Sequence, residues 1–254
     1  MNVVAARHVG ASAGTWVLSL VMLGAGTSPA MAQDDDPEVW TITASAGLAL
    51  TNGNSDTSTV NVAYDLVVDP GASNVVKTDG LFLRGVTEGE LSSNRLSLNA
   101  RDEYHFNGRL FAFGQTQYLR DEFKDIEYLI APTGGLGYDV VDTEATKLGI
   151  DASIGGVWEK SPDDVMTSSG AVTFGQRLTQ QLTETTTVTQ QVKGLWKTKD
   201  FEDALLTLGA SIAASISART QLKVEVLDTY KNKPRLATTT KHDVVVLMAI
   251  VYKM

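Results

Sequence analysis

The chain lacks cysteine, which excludes a disulfide framework, a thiolate nucleophile and any cysteine metal site. Histidine is scarce, with three in 254 residues, so a histidine-based metal centre is not expected. Only six prolines are present, which argues against a disordered chain. Lys and Arg total 21 against 30 Asp and Glu, and this acidic balance argues against a nucleic-acid partner. The composition is that of a folded, acidic protein.

Residues 1–32 have the features of a secretory signal peptide. Arg7 precedes a short apolar run, and small residues at Ala30 and Ala32 fit a signal-peptidase site. An N-terminal anchor helix is the alternative, but the apolar run is short for a membrane span. Cleavage after Ala32 would leave a mature domain at 33–254, secreted across the inner membrane.

The mature chain alternates between apolar and polar side chains with a period of two. Leu208 and Ile212, for example, share one parity, and Ser211 has the other. Because successive side chains of a strand point to opposite faces, each such segment is predicted to be a strand with one apolar and one polar face. No linker or second domain is visible, so a single all-β domain is expected.

Twelve antiparallel strands are predicted, and turn-forming residues separate them. Their bounds are 38–50, 57–68, 74–87, 94–106, 109–121, 126–141, 147–159, 166–180, 184–198, 203–216, 219–231 and 239–254. The Asn-Gly pairs at 52–53 and 107–108 predict type I′ hairpins. The expected architecture is an up-and-down β-barrel.

The placement of aromatic residues favours an outer-membrane barrel over a soluble one. With both termini periplasmic, the periplasmic strand ends carry Trp40, Tyr104, Phe106, Tyr138 and Tyr252, and the extracellular ends carry Tyr118, Tyr128, Trp158, Trp196 and Tyr230. Nine of the ten share the apolar parity of their strand, and Tyr118 lies in a segment of mixed parity. Two such belts are typical of membrane–water interfaces. We therefore expect a transmembrane barrel in the bacterial outer membrane, surrounded by its lipid and inserted by the barrel-assembly machinery.

The polar parity carries charges of both signs, which are expected to face the lumen. They are Asp65, Arg101, Glu103, Asp151, Glu159, Arg177, Lys193, Lys223 and Glu225. Charges enclosed in a narrow barrel must pair with one another or meet water. The balance of signs predicts a network of ion pairs and a closed or poorly conducting barrel, although a wet lumen without a transport role fits equally well.

Two blocks of sequence carry a family resemblance. The first, over 45–57, contains Thr51, Gly53, Asn54, Asp56 and Thr57. The second, over 101–143, contains Arg109, Phe113, Gly114, Gln115, Tyr118, Arg120, Asp121, Tyr128, Pro132, Gly135, Gly137 and Tyr138. Both resemble the YdiY-like family of salt-induced outer membrane proteins, whose domain has no assigned function. The resemblance implies an outer-membrane β-barrel and no activity. The chain departs from such barrels by ending on Met254, so Tyr252 would have to serve as the aromatic of the assembly signal.

No motif predicts catalysis, a cofactor or a metal site. His105 is expected to face the lumen and His242 the outside, and no serine motif surrounds either one. The glycine-rich run at 134–137 is more typical of a close-packed strand than of a phosphate loop. We expect a protein that is not an enzyme, with either a structural role in the envelope or a narrow passive channel. The alternatives are an outer-membrane lipid-modifying enzyme and a soluble periplasmic β-barrel that binds a ligand.

Overall fold

The protein is a closed barrel of twelve antiparallel strands, in a computed structural model that describes residues 40–51, 57–71, 73–162, 164–234 and 240–253. Each strand pairs with its neighbours in sequence, and β1 pairs with β12 to close the sheet. The strands are β1 Trp40–Thr51, β2 Thr57–Val68, β3 Asn74–Thr87, β4 Glu90–His105, β5 Leu110–Asp121, β6 Ile126–Asp142, β7 Thr146–Lys160, β8 Thr167–Gln181, β9 Thr186–Lys197, β10 Asp200–Ser215, β11 Thr220–Lys231 and β12 His242–Lys253. The predicted twelve-stranded up-and-down barrel is confirmed.

The strand bounds lie within two residues of the prediction except at the starts of β4, β10 and β12. β12 begins at His242 instead of 239, and tight turns lengthen the other two. β4 begins at Glu90 instead of 94, and β10 begins at Asp200 instead of 203. Before β4, Glu88 and Gly89 have φ values of 55° and 81°, and a type I′ turn requires positive φ at both of these positions. This two-residue turn lets pairing begin earlier than the sequence pattern indicated.

The type I′ prediction at 107–108 is wrong. Positive φ is absent from Asn107 and Gly108 in the described chain. Instead, the Asn107 side-chain oxygen accepts hydrogen bonds from the backbone N–H groups of Arg109 and Leu110, at 2.9 and 2.8 Å. Asparagine therefore makes this turn through its side chain and not through a left-handed backbone. The other predicted turn, at 52–53, lies outside the described residues, as does the predicted signal peptide at 1–32.

The two ends of the barrel differ. Trp40 begins β1 and Lys253 ends β12 at one end, which we call the terminal end; the opposite end is the loop end. The loop end holds the longest connection between described strands, from Lys231 to His242, and a short 3₁₀ helix at Glu122–Lys124. Its turns at 88–89 and 198–199 are only two residues long, so the loop end is longer in some connections only. No helix in the described part of the chain is long and apolar enough to cross a membrane.

Apolar side chains cover the outside of the barrel. Val62, Ile154, Leu208 and Ile212 point outward and are 51%, 71%, 43% and 47% exposed. Inward-facing positions in the terminal half of the barrel are mostly polar, with buried exceptions at Phe111, Phe113 and Val251. In the loop half they include a buried apolar cluster, which consists of Leu119, Ile126, Leu129, Ala131, Val157, Ala171, Leu195 and Leu205. The parity pattern predicts a polar interior apart from the mixed segment at 109–121, so this cluster is a correction.

The glycine-rich run at 134–137 is a close-packed strand, as predicted. A Cβ on Gly135 would overlap the backbone of β7 at Ala152, and a Cβ on Gly137 would overlap the ring of Phe111. Phe111 is buried on the inner face of β5, which explains why both parities of that segment looked mixed in the sequence.

Candidate functional site in the lumen

A polar cavity of about 360 Å³ occupies the terminal half of the lumen. Its charged lining consists of five acids and five bases, which are Asp65, Asp79, Glu103, Asp139 and Asp151 with Lys77, Arg101, Lys147, Arg177 and Lys193. Arg177 is exposed, and the Lys147 side chain is 69% exposed. Both lie near the terminal end of their strands, so the cavity opens at that end.

Arg101 and Glu103 organise one wall of the cavity. The Arg101 Nε lies 2.7 Å from a Glu103 carboxylate oxygen, and the Lys77 Nζ lies 2.7 Å from the other. The Arg101 guanidinium also lies 3.5 Å from Asp151, and its carbon sits 3.6 Å from the centroid of the Phe113 ring. Glu103 is only 3% exposed, so its two cations compensate a charge that is largely removed from water.

Other charges of the cavity have no ion-pair partner. Among the described residues, no oppositely charged group lies within 4.0 Å of Asp65, Arg177 or Lys193. Gly175 is the register partner of Asp151 on β7 and of Lys193 on β9. A Cβ on Gly175 would overlap the Asp151 carboxylate, so the glycine leaves free space beside that carboxylate.

The inner end of the cavity is apolar. Leu195 and Leu205 line the cavity and also belong to the buried apolar cluster. Leu119 and Leu129, in the same cluster, are 0% and 1% exposed. The cavity therefore ends blindly on the apolar cluster and does not continue as a polar passage to the loop end.

A buried ion-pair group crosses the lumen beside the apolar cluster, since Leu205 is the register partner of Lys231 and Leu129 that of Glu159. The Lys231 Nζ on β11 lies 2.7 Å from the Glu159 carboxylate on β7, and the Lys197 Nζ lies 2.9 Å from the same carboxylate. Lys197 also lies 2.6 Å from Asp203. Lys231 and Glu159 are 3% and 7% exposed, so this connection between distant strands is shielded from solvent.

Two further side chains join distant strands at the loop end. Arg95 on β4 donates a hydrogen bond to the Thr229 hydroxyl on β11, and its guanidinium lies 3.6 Å from Asp121. These three residues are all buried.

Lys124, in the 3₁₀ helix, also reaches across the barrel. Its Nζ donates to the backbone carbonyls of Thr240 and Lys241, each at 3.2 Å. The side chain is fully enclosed, and burial lowers the pKa of its ammonium group. These two hydrogen bonds connect the 3₁₀ helix to the residues before β12, across the loop end.

The structure places the predicted lumen charges in three locations. Six of them line the cavity: Asp65, Arg101, Glu103, Asp151, Arg177 and Lys193. Lys223 and Glu225 lie outside that lining and pair with each other on β11, at 2.7 Å. Glu159 belongs to the ion-pair group beside the apolar cluster.

Sequence reasoning did not single out several charged residues of the lumen. They are Lys77, Asp79, Arg95, Asp121, Lys124, Asp139, Lys147, Lys197, Asp203 and Lys231. Those on strands have the polar parity, which could have indicated them. Lys124 lies in a connection, where no periodic signal exists.

The ten predicted belt aromatics lie near the ends of the strands. Trp40, Tyr104, Phe106, Tyr138 and Tyr252 lie toward the terminal end, and Tyr118, Tyr128, Trp158, Trp196 and Tyr230 lie toward the loop end. Trp40 and Phe106 are 53% and 57% exposed. The rings of Trp158 and Trp196 lie over the outward-facing glycines two residues earlier in each strand.

Metal and hydrolytic sites have little support in the described part of the chain. It contains no group of three or more His, Asp or Glu residues that could hold a metal ion. His242 Nδ1 lies 3.1 Å from Asp228 on the outside of the barrel. The register partners of this pair are Tyr230, Val244 and Leu208, and none of them is a serine or threonine nucleophile.

Known proteins provide a family but no activity. No curated protein matches the chain. Similar solved structures include the translocator domain of autotransporter NalP from Neisseria meningitidis, with 10% identity over 86% of this chain and 90% of that chain and a TM-score of 0.48. An outer membrane channel from Pseudomonas putida F1 has 12% identity over 85% of this chain and 94% of that chain, and a TM-score of 0.48. The outer membrane channel DcaP of Acinetobacter baumannii has 9% identity over 85% of this chain and 95% of that chain, and a TM-score of 0.42.

The family assignment rests on the sequence itself. The profile of the family described as "Protein of unknown function, DUF481" matches residues 44–254, which span all twelve strands except the first part of β1. The match is consistent with the YdiY-like resemblance of the two sequence blocks. The chain therefore belongs to the DUF481 family of proteins of unknown function.

Proposed function

We propose that this protein is an outer-membrane barrel whose lumen is closed in its resting state. The membrane location is supported by the apolar outer surface, where residues such as Phe82, Ile154 and Met248 remain exposed in the monomer. Soluble monomers rarely expose continuous apolar surface on this scale. An apolar exterior around a polar interior is the arrangement of barrels that span the bacterial outer membrane. In such a barrel the terminal end would face the periplasm.

Closure is carried by one observation, the buried Lys231–Glu159 ion pair beside the apolar cluster. The pair joins β11 to β7 across the loop half of the lumen, at 2.7 Å. The apolar cluster beside the pair contains Leu195 and Leu205, and a narrow apolar constriction excludes water and ions. A barrel with this interior would support the envelope or open only after a rearrangement, and it would not act as a general porin.

Planar-bilayer recording of the purified barrel tests the closed state. We expect no steady single-channel current from the native chain under conditions in which a general porin conducts. The double variant Leu195→Ser and Leu205→Ser should admit water through the floor of the cavity and conduct. Leu206→Ser with Leu208→Ser is the matched control, because these leucines of β10 face outward.

The outcomes separate closure from membrane location. A large, steady current from the native protein would show that the lumen is open. Recovery of the mature protein in the soluble periplasmic fraction would instead overturn the outer-membrane assignment. Heat-modifiable migration on a denaturing gel establishes that each variant is folded before its current is compared.

A further inference from the structure

The cavity presents unpaired charges of both signs on opposite walls. Asp65 on β2 and Asp79 on β3 form one wall with Asn99, which donates a hydrogen bond to Asp79 at 2.7 Å. Arg177 on β8 and Lys193 on β9 form the other wall. In the closed ring of twelve strands, β2–β3 and β8–β9 are six positions apart, which is diametrically opposite.

These groups act on one another without forming close pairs. Arg177, Asp79, Lys223 and Lys77 act electrostatically on Asp65. Those that act on Lys193 are Asp79, Arg177, Arg101 and Asp151. Neither Asp65 nor Lys193 has an oppositely charged group within 4.0 Å among the described residues. Each therefore has unused hydrogen-bonding capacity in a space large enough for a ligand.

The charge balance of the lining indicates what kind of ligand fits. Five acids and five bases cancel, so the cavity as a whole does not concentrate either anions or cations. A ligand with a single charge would satisfy one wall and leave the other uncompensated. A ligand with an ammonium group and a carboxylate satisfies both walls at once and adds no net charge.

We propose that the cavity binds a small zwitterionic solute, with its carboxylate on Lys193 and Arg177 and its ammonium group on Asp65 and Asp79. The volume of about 360 Å³ is in the range of small-molecule sites. Leu195 and Leu205, at the inner end, contact any carbon chain between the two charged groups. The solute enters and leaves at the terminal end, where Arg177 is exposed.

A series of ω-amino acids tests the proposal and measures the distance between the walls. Binding of glycine, β-alanine, γ-aminobutyrate and ε-aminocaproate to the full barrel in detergent micelles is followed by titration calorimetry. We expect saturable binding with a clear optimum of chain length. At that optimum, the alkyl carboxylate and the alkylamine of the same length should each bind at least about tenfold more weakly, since each loses one charge-assisted contact.

Variants that remove one charge each identify the residues. Lys193→Gln and Asp65→Asn should each weaken binding of the best ω-amino acid by about tenfold or more. Glu225→Gln is the matched control, because Glu225 faces the lumen from β11, does not line the cavity and is not among the groups that act on Asp65 or Lys193. Unchanged thermal unfolding of the three variants shows that the barrel itself is intact.

Three results would overturn the proposal. One is the absence of saturable binding for every chain length up to about 10 mM ligand. Another is unchanged affinity in both Lys193→Gln and Asp65→Asn. The third is an alkyl carboxylate that binds as tightly as the zwitterion, since that would make the cavity an anion site. The binding measurement needs no ion current. Binding can therefore be absent even if the lumen is closed, and binding can be found even if the lumen proves to be open.

Discussion

At the scale of single residues, burial decides how much the ion pair of a lysine contributes to the stability of the barrel. The Lys231 side chain is 4% exposed and contacts Glu159, whereas the Lys233 side chain is 44% exposed and lies 2.6 Å from Asp200. Both are short ion pairs at the loop end, and distance alone does not separate them. Water screens the exposed pair, while the enclosed pair has lost its hydration and depends on its partner.

Lys231→Met should therefore destabilise the barrel, by about 2–4 kcal/mol of unfolding free energy, because it leaves Glu159 buried with only Lys197 beside it. Lys233→Met, the matched control, should leave stability unchanged within error. Urea unfolding of the barrel in lipid vesicles, followed by tryptophan fluorescence, measures both. Equal stability of the two variants would show that the Lys231 contact is not a buried ion pair in the membrane.

Two glycines of the outer surface show a second local interaction, with a tryptophan ring. Gly156 and Gly194 face outward, and each lies under the ring of the tryptophan two positions later, Trp158 or Trp196. The ring covers backbone that the glycine leaves bare, a known way to protect a glycine within a strand. The Gly-x-Trp spacing is readable in the sequence, since positions i and i+2 of a strand share a face.

At the scale of the strand, β10 separates lipid-facing from lumen-facing positions most clearly. Leu208 is 43% exposed on the outer face, and Ser211 faces inward as the register partner of Glu225. A lysine introduced at Leu208 would face the hydrocarbon of the membrane, whereas a lysine introduced at Ser211 would lie beside the Glu225 carboxylate.

Leu208→Lys should cost roughly 2–4 kcal/mol of folding free energy in a bilayer, whereas Ser211→Lys should cost much less. Reversible unfolding from lipid vesicles measures both changes, with fractionation of the expressed variants alongside it. In a soluble barrel, Leu208→Lys would cost less folding free energy than this. Comparable costs at the two positions would contradict an outer face in contact with lipid.

At the scale of the whole molecule, the barrel closes on a short seam. β1 and β12 share four register pairs, from Thr43–Lys253 to Ala46–Ile250, whereas β10 and β11 share eleven. Backbone pairing is the main connection between neighbouring strands, so the seam is expected to open before the other strand pairs do.

A disulfide across the seam tests this, and the cysteine-free chain makes the experiment clean. Ala46→Cys with Ile250→Cys joins register partners of β1 and β12, and Ala210→Cys with Val226→Cys does the same for β10 and β11. We expect the oxidised seam variant to gain more in unfolding midpoint than the oxidised control, because it links strands at the two ends of the chain. An equal gain in the two would show that the seam does not limit stability.

Much of the architecture could be predicted because the information is local. The alternation around Leu208, Ser211 and Ile212 defines a strand and its two faces without any knowledge of neighbours. Turn residues mark where strands end, although the turn at Asn107 shows that an Asn-Gly pair can form a turn through the asparagine side chain as well as through a left-handed backbone. The all-β class, the strand number and the apolar exterior follow from such periodic signals.

The sequence by itself determined the twelve strands, their order and the separation of polar from apolar faces. Only the tertiary structure decided how the interior is divided, because that depends on which inward side chains meet across the lumen. Lys231 and Glu159 are 72 residues apart, and the Arg95–Thr229 contact spans 134. Parity places each of these side chains inside the barrel, but strand stagger and closure choose its partner. The blind cavity and its unpaired Lys193 arise from that stagger, which no local pattern records.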